Sequence, residues 1–186
     1  MSRNCNTLLS TLKLNPAPLI QEKLQAIDNE DYSNVIWKTR EMLCETGFEP
    51  TDNYLDNGIL ALKQYYAIAL LDPKNGHAVS KPIDPFWHAH ILFTKSYMNF
   101  SNKVMGGYMH HEPLNTNNPE QLKNVSALWS YTLRLLPEMF SYIDPVFWPN
   151  DNSDNALVCV HYRDIYGEIL EHALFPEVAE GQIYAF

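Results

Sequence analysis

The chain has 186 residues, 46% of them hydrophobic and 12% aromatic, with 13 Lys and Arg against 22 Asp and Glu for a formal net charge of -9 at pH 7. That length and apolar share exclude a disordered chain and fit one domain, 1–186, with a sizeable core. The acidic balance, without any Lys/Arg run, excludes nucleic acid as the main partner, because phosphate binding draws on clustered cations.

The opening MSRNCNTLLSTLKLNP lacks the long apolar region and small-residue cleavage site of a secretory leader, and no membrane-spanning run follows, so no membrane partner is expected. Cys5, Cys44 and Cys159 are widely spaced with no CxxC pair. They suggest neither a disulfide framework nor a zinc knuckle, and read as small hydrophobes in or near the core of a cytoplasmic protein.

Caps and periodicity predict an all-α fold, a compact multi-helix domain with irregular loops. Pro18 opens a first helix through about Ala26, and Asp31 starts a second that carries Val35, Ile36, Trp37 and Leu43 and ends at Gly47. Thr51 is an N-cap for a third, over which Leu55, Ile59, Leu62, Tyr66 and Ala69 form an amphipathic stripe until Asp72-Pro73 stops it. The loop DPKNGHAVSKPI leads to Asp84-Pro85, a capping carboxylate followed by proline at the first helical position, so one helix is predicted from Pro85 to Val104 or Met105. Gly106-Gly107 ends it, and Asn118-Pro119-Glu120 repeats the cap signal for a helix through about Tyr142 with Leu122, Val125, Leu128, Trp129 and Leu136 on its apolar side.

FWPNDNSDN reads as a surface loop. In ALVCVHYRDIYGEILEHALF, Val158, Val160 and Tyr162 alternate like a strand while Ile165, Ile169 and Leu170 step like a helix, and helix is the expectation adopted. The tail 176–186 ends in QIYAF, apolar enough to dock on the body of the fold or else left loose as chain ends often are.

The chemistry concentrates in the segment 84–113, which holds four of the seven histidines: His88 and His90 in DPFWHAHILFTKSY, His110 and His111 in GGYMHHEP. Histidine is the commonest metal ligand, so clustering points to a metal or proton-transfer site. On a regular helix His88 and His90 lie about 200° apart and cannot bind one ion together. His90 falls beside Phe86, Phe93 and Tyr97, His88 among Lys95, Asn99 and Asn102, which makes His88 the better ligand. Asp84 stands four residues before His88 on the same face, a half-site for zinc, iron or manganese. It is equally the natural N-cap, and one oxygen can cap while the other faces a metal.

After the glycine pair the chain can turn back along the helix it has left, bringing His110 or His111 to the site, one of them inward and the other outward. Glu112 adds a carboxylate there, and Tyr97 offers a phenol or serves as a core aromatic. The metal candidates are therefore His88, His111, Asp84, His90 and His110, and the catalytic candidates Tyr97 and Glu112.

The composite of YYAIALL, Pro82-Ile83-Asp84, WHxHxLxTxxY from Trp87 to Tyr97 and GxxxHHxP from Gly106 to Pro113 resembles the glycine-rich domain-containing protein-like family of small helical domains. The resemblance spans about Tyr54 to Pro113. It implies a helical fold and a site at Asp84, Trp87, His88, Leu92, Thr94, Tyr97, Gly106, His111 and Pro113, with no reaction attached. The glycine-rich extension of plant members is absent, so RNA binding proposed for that region does not transfer.

Two functions fit these residues. One is a non-haem metalloenzyme acting on a small-molecule substrate, with His88, His111 and Asp84 or Glu112 around a divalent ion: iron for oxidation, zinc for hydrolysis, and zinc or copper if His90 or His110 adds a third imidazole. Thr94 and Asn99 would orient that substrate. The other is a binding or scaffold domain whose histidines pin the loop at Gly106 to the helix at Pro85. The absence of GxSxG, P-loop, dinucleotide-binding and HExxH patterns removes several common enzyme classes.

Overall fold

The computed structural model describes residues 7–150, 157–163 and 171–178, the second of these through its backbone. Among the described residues it is mostly helical: α1 Leu8–Thr11, α2 Pro18–Asp28, α3 Ser33–Glu45, α4 Asp52–Leu71, α5 Asp84–Leu92, α6 Thr94–Met105 and α7 Pro119–Met139. Three strands, β1 Ala78–Ser80, β2 Met109–Pro113 and β3 Leu157–Arg163, form an antiparallel sheet in the order β1-β3-β2. No helix among the described residues is long and apolar enough to cross a membrane.

The helix signals act as local chemistry dictates. The Thr51 hydroxyl accepts from the Tyr54 amide at the start of α4, and the Asn118 side chain accepts from the amides of Glu120 and Gln121 at the start of α7. Gly47 and Gly106 take positive φ, 84° and 74°, just past α3 and α6, where a residue without Cβ meets no penalty.

The stripe predicted on α4 is wider in the structure. Ile59 through Leu62 and Gln64 through Leu71 are buried on every side, because α1, α2, α3 and α5 all pack around this helix. A helix that is apolar all round is a central one, and α4 is the axis of the core. The polar side chain that α4 takes into the core is paired: Gln64 donates to the Tyr142 carbonyl and accepts from Trp148 Nε1, at 2.8 and 3.0 Å.

Three expectations are corrected. The helix predicted from Pro85 to Met105 is two helices, broken at Phe93 (φ −84°, ψ 59°). Helical rise explains the break: residues ten apart on one helix stand about 15 Å apart, whereas Trp87 Nε1 lies 2.9 Å from the Tyr97 hydroxyl. Second, residues 157–163 form β3 rather than helix, so the sheet stands beside the helices of the all-α expectation. The alternation of Val158, Val160 and Tyr162 is the signal that prevails, because β1 and β2 both offer strands to pair with. Third, Cys44 is exposed rather than packed in the core. The helical steps at Ile165, Ile169 and Leu170, the docking of QIYAF and the side chains of Cys5 and Cys159 lie outside what is described.

A second buried polar cluster ties the far end of α4 to α7. Asp72 accepts from the Tyr131 hydroxyl at 2.7 Å and from Asn75 Nδ2 at 2.6 Å, and His77 Nε2 lies 3.2 Å away. Burial pushes the Asp72 carboxyl upward, but His77, Tyr131 and Asn75 favour the charged form more strongly, and it settles below the usual range. Asn75 also donates to the Pro176 carbonyl and accepts from the Val178 amide, which holds residues 174–178 against this corner.

Candidate metal centre

Helix α5 presents Asp84 and His88 one turn apart, and β2 brings His111 over them. His111 Nε2 is 2.9 Å and His88 Nε2 3.6 Å from Asp84 Oδ1. One ligand atom from each residue lies within 4.8 Å of the other two. Two ligands held at about 2.1 Å from one ion, at tetrahedral or octahedral angles, are about 3.0–3.4 Å from each other. The two distances to Asp84 Oδ1 are thus close to ligating separation, and the His88 side chain is 43% exposed.

Strand geometry decides which histidine of the pair faces Asp84. Successive side chains on β2 alternate, so His111 turns inward, with its side chain 7% exposed, while His110 and Glu112 face outward and are exposed. The register Met109↔Arg163 through Pro113↔Cys159 with β3 fixes which of the two is inside. His110 packs its ring against Tyr108 at 4.8 Å, and neither it nor Glu112 joins the cluster, which corrects both as site candidates.

His90 is also corrected as a ligand. It is buried within an aromatic shell of Tyr32, Tyr66, Tyr97 and Phe100, and its Nδ1 lies 2.8 Å from the Tyr66 hydroxyl. Desolvation there lowers its pKa to about 4, so it stays neutral. Its separation from His88 follows from the helical angle, which survives because α5 is regular from Asp84 to Leu92.

Tyr97 is a core residue rather than an acid or base. Its hydroxyl donates to the Met109 carbonyl at 2.6 Å and accepts from Trp87 Nε1, and burial pushes the phenol far above its ordinary value. Asp84 does not fill the N-cap position: Ile83 does, in helical conformation (φ −82°, ψ −33°) and without a side-chain cap. As the first helical residue Asp84 puts an oxygen on His111, so loop chemistry yields to the site.

The His88 imidazole lies below its usual pKa, chiefly from burial, with His111 adding to the effect and Asp84 opposing it. A depressed pKa keeps the ring neutral, the form that ligates. Trp87 packs its indole on His111, with ring centroids 4.7 Å apart, and the rings of His88 and His111 are 4.5 Å apart. Ser101 escaped the sequence reading; its hydroxyl accepts from the Met109 amide at 3.0 Å. The available signal was its four-residue spacing from Tyr97, which puts both on one face of α6.

The comparisons with known proteins place the chain differently from the resemblance above. The UCP032817-like family model matches residues 22–135, more than half of the chain, and the chain belongs to that family. The glycine-rich domain-containing assignment is thereby overturned, since a model over most of the helical body outweighs a motif composite over part of it. No curated protein and no solved structure matches.

Proposed function

We propose that the protein binds one divalent metal ion through Asp84, His88 and His111 and acts as a small non-haem metalloenzyme. The observation that carries this reading is the convergence of two imidazoles and one carboxylate from α5 and β2 within 4.8 Å. Two histidines and a carboxylate on one side of an ion suit iron(II), and the same set with zinc suits hydrolysis. With His90 and His110 turned elsewhere, no third imidazole argues for copper. When bound, the ion would supply a Lewis-acidic centre with open positions for water or substrate.

A groove lies along the α5–α6 junction that follows these ligands in the chain. An open groove of about 530 Å³ is lined by Leu92, Phe93, Thr94, Lys95, Ser96 and Asn99, and Leu92 stands one turn beyond His88 on the same face of α5. The hydroxyl and amide side chains there would orient a small polar substrate, as read for Thr94 and Asn99. The scaffold reading draws on the direct His111–Asp84 hydrogen bond, which joins β2 to α5 without an ion. With Asp84 as the acceptor of that bond, Nε2 is the ring nitrogen that carries the hydrogen; ligation through Nε2 would require the hydrogen on Nδ1 instead.

Metal analysis by mass spectrometry on protein purified without a His-tag is expected to give one ion per chain. His88→Ala, His111→Ala and Asp84→Asn are each expected to abolish uptake with the helical fold intact, whereas His90→Ala keeps uptake and lowers stability. Equal metal loss in His90→Ala, or none in the three ligand variants, would sink the site. Asp84→Asn also separates the readings, since an amide can still bond His111 but is a poor ligand.

A second expectation concerns pH. Ligating histidines must be neutral, so protons compete with the ion below about pH 6. A chelator should therefore lower the melting temperature at neutral pH and have little effect near pH 5, where the ion has already left. No chelator effect at either pH, in protein shown beforehand to carry metal, would place the ion elsewhere.

A further inference from the structure

The position of His111 depends on an edge strand. With the order β1-β3-β2, β2 is an edge strand among the described residues: β3 pairs with one side of its backbone, and the other side presents N–H and C=O groups that need partners elsewhere. On that side α6 supplies them. Both backbone polar groups of Met109 are taken by side chains one helical turn apart: Tyr97 donates to the carbonyl at 2.6 Å and Ser101 accepts from the amide at 3.0 Å. Tyr97 simultaneously accepts from Trp87 Nε1 at 2.9 Å, and Trp87 is the residue next to His88 whose indole lies against His111. Met109 and His111 are two residues apart and share a face of the strand, so clamping the first aims the second.

We propose that Tyr97 is a positioning residue of the site: its single hydroxyl ties β2 to α5 and so sets His111 beside Asp84 and His88. This rests on the metal reading for its functional meaning, though not for its geometry. Tyr97 touches no ligand atom and acts through Met109 and Trp87. A hydroxyl that both donates and accepts inside the core is also costly to replace, because its removal leaves the Met109 carbonyl and the Trp87 Nε1–H without that partner.

The test compares Tyr97→Phe with Tyr66→Phe. Both remove one buried phenolic hydroxyl; that of Tyr66 bonds His90 on α5. With cobalt(II) as the probe, Tyr97→Phe is expected to weaken binding about 10- to 100-fold, the range seen for groups that orient ligands, and to change the visible absorption of the bound ion. Tyr66→Phe is expected to lower the melting temperature with affinity and spectrum unchanged. Ser101→Ala, which frees the Met109 amide, should act as Tyr97→Phe does but less strongly, and carries the test if Tyr97→Phe does not fold.

Equal losses of affinity in Tyr97→Phe and Tyr66→Phe, or none in either Tyr97→Phe or Ser101→Ala, would overturn the proposal. A metal-free readout keeps it distinct from the metal reading: the ring N–H of His111 in its bond to Asp84 should give a slowly exchanging ¹H–¹⁵N signal. That signal is expected in the wild type and in Tyr66→Phe and lost in Tyr97→Phe. If the wild-type protein takes up no cobalt(II), the metal reading falls, and the signal alone decides the brace: retained in Tyr97→Phe it refutes it, lost it supports it.

Discussion

Between pH 6.5 and pH 4 the protein is expected to lose about 3 kcal/mol of folding stability through His90 alone, because burial lowers this imidazole from 6.5 to about 4. In the folded chain the ring stays neutral against Tyr66, while in the unfolded chain it takes up a proton near its ordinary pKa. The unfolded state therefore binds more protons within this window. The contribution is fully present above pH 6.5 and is withdrawn as pH falls to about 4. Asp28 and Asp72, whose carboxyls are held low, act only further down, as pH falls below the ordinary aspartate value of 3.8. Urea unfolding at a series of pH values, with a chelator present to silence the metal site, should show the decline. His90→Leu should start less stable at neutral pH, having lost the Tyr66 partner, but its stability should be flatter with pH. The same slope in both proteins would mean that His90 does not set it.

What the sequence made legible was whatever local chemistry decides. Thr51 and Asn118 cap because their side chains reach amides two or three residues on, and Gly106 ends α6 because only a residue without Cβ takes its φ cheaply. The opposition of His88 and His90 follows from helical angle alone, and the structure puts one beside Asp84 and the other in the aromatic shell. The choice of His111 over His110 was readable only as one in, one out; which is inside depends on the register with β3, a partner nearly fifty residues away in sequence. The break at Phe93 has neither glycine nor proline to announce it. It is imposed by the bonds among Trp87, Tyr97 and Met109, so a scan along the chain sees one uninterrupted helix. Asp84-Pro85 carried a true helix start with the wrong role for the aspartate, since tertiary contact with His111 outbids a local cap. The strand at 157–163 failed for the same reason as the break: its pattern is ambiguous until β1 and β2 stand on either side of it.

Gly58→Ala is expected to be among the most damaging small substitutions in the chain, although alanine is the better helix former by about 1 kcal/mol. Gly58 lies within α4 where α5 crosses it, and a Cβ built there would stand 2.0 Å from Phe86 Cζ and 2.5 Å from both Cε atoms. The ring cannot yield easily: it is fully buried, with Phe147 at 5.8 Å and Tyr54 at 6.2 Å between centroids. Relief requires α5 to move away from α4. Overpacking of this kind costs about 1–3 kcal/mol and outweighs the gain in propensity. Because Phe86 lies between Asp84 and His88 on α5, the same displacement should weaken metal uptake, coupling a core contact to the site. Phe86→Leu alone should destabilise by loss of packing, but combined with Gly58→Ala it should cost less than the two separate effects added, since the shorter side chain leaves space for the new methyl. Thermal unfolding and metal titration of the two single variants and the double variant measure this. Strict additivity in stability would mean that Gly58 and Phe86 are not in contact, and an unaltered metal affinity in Gly58→Ala would mean that α5 holds its place while Phe86 alone gives way.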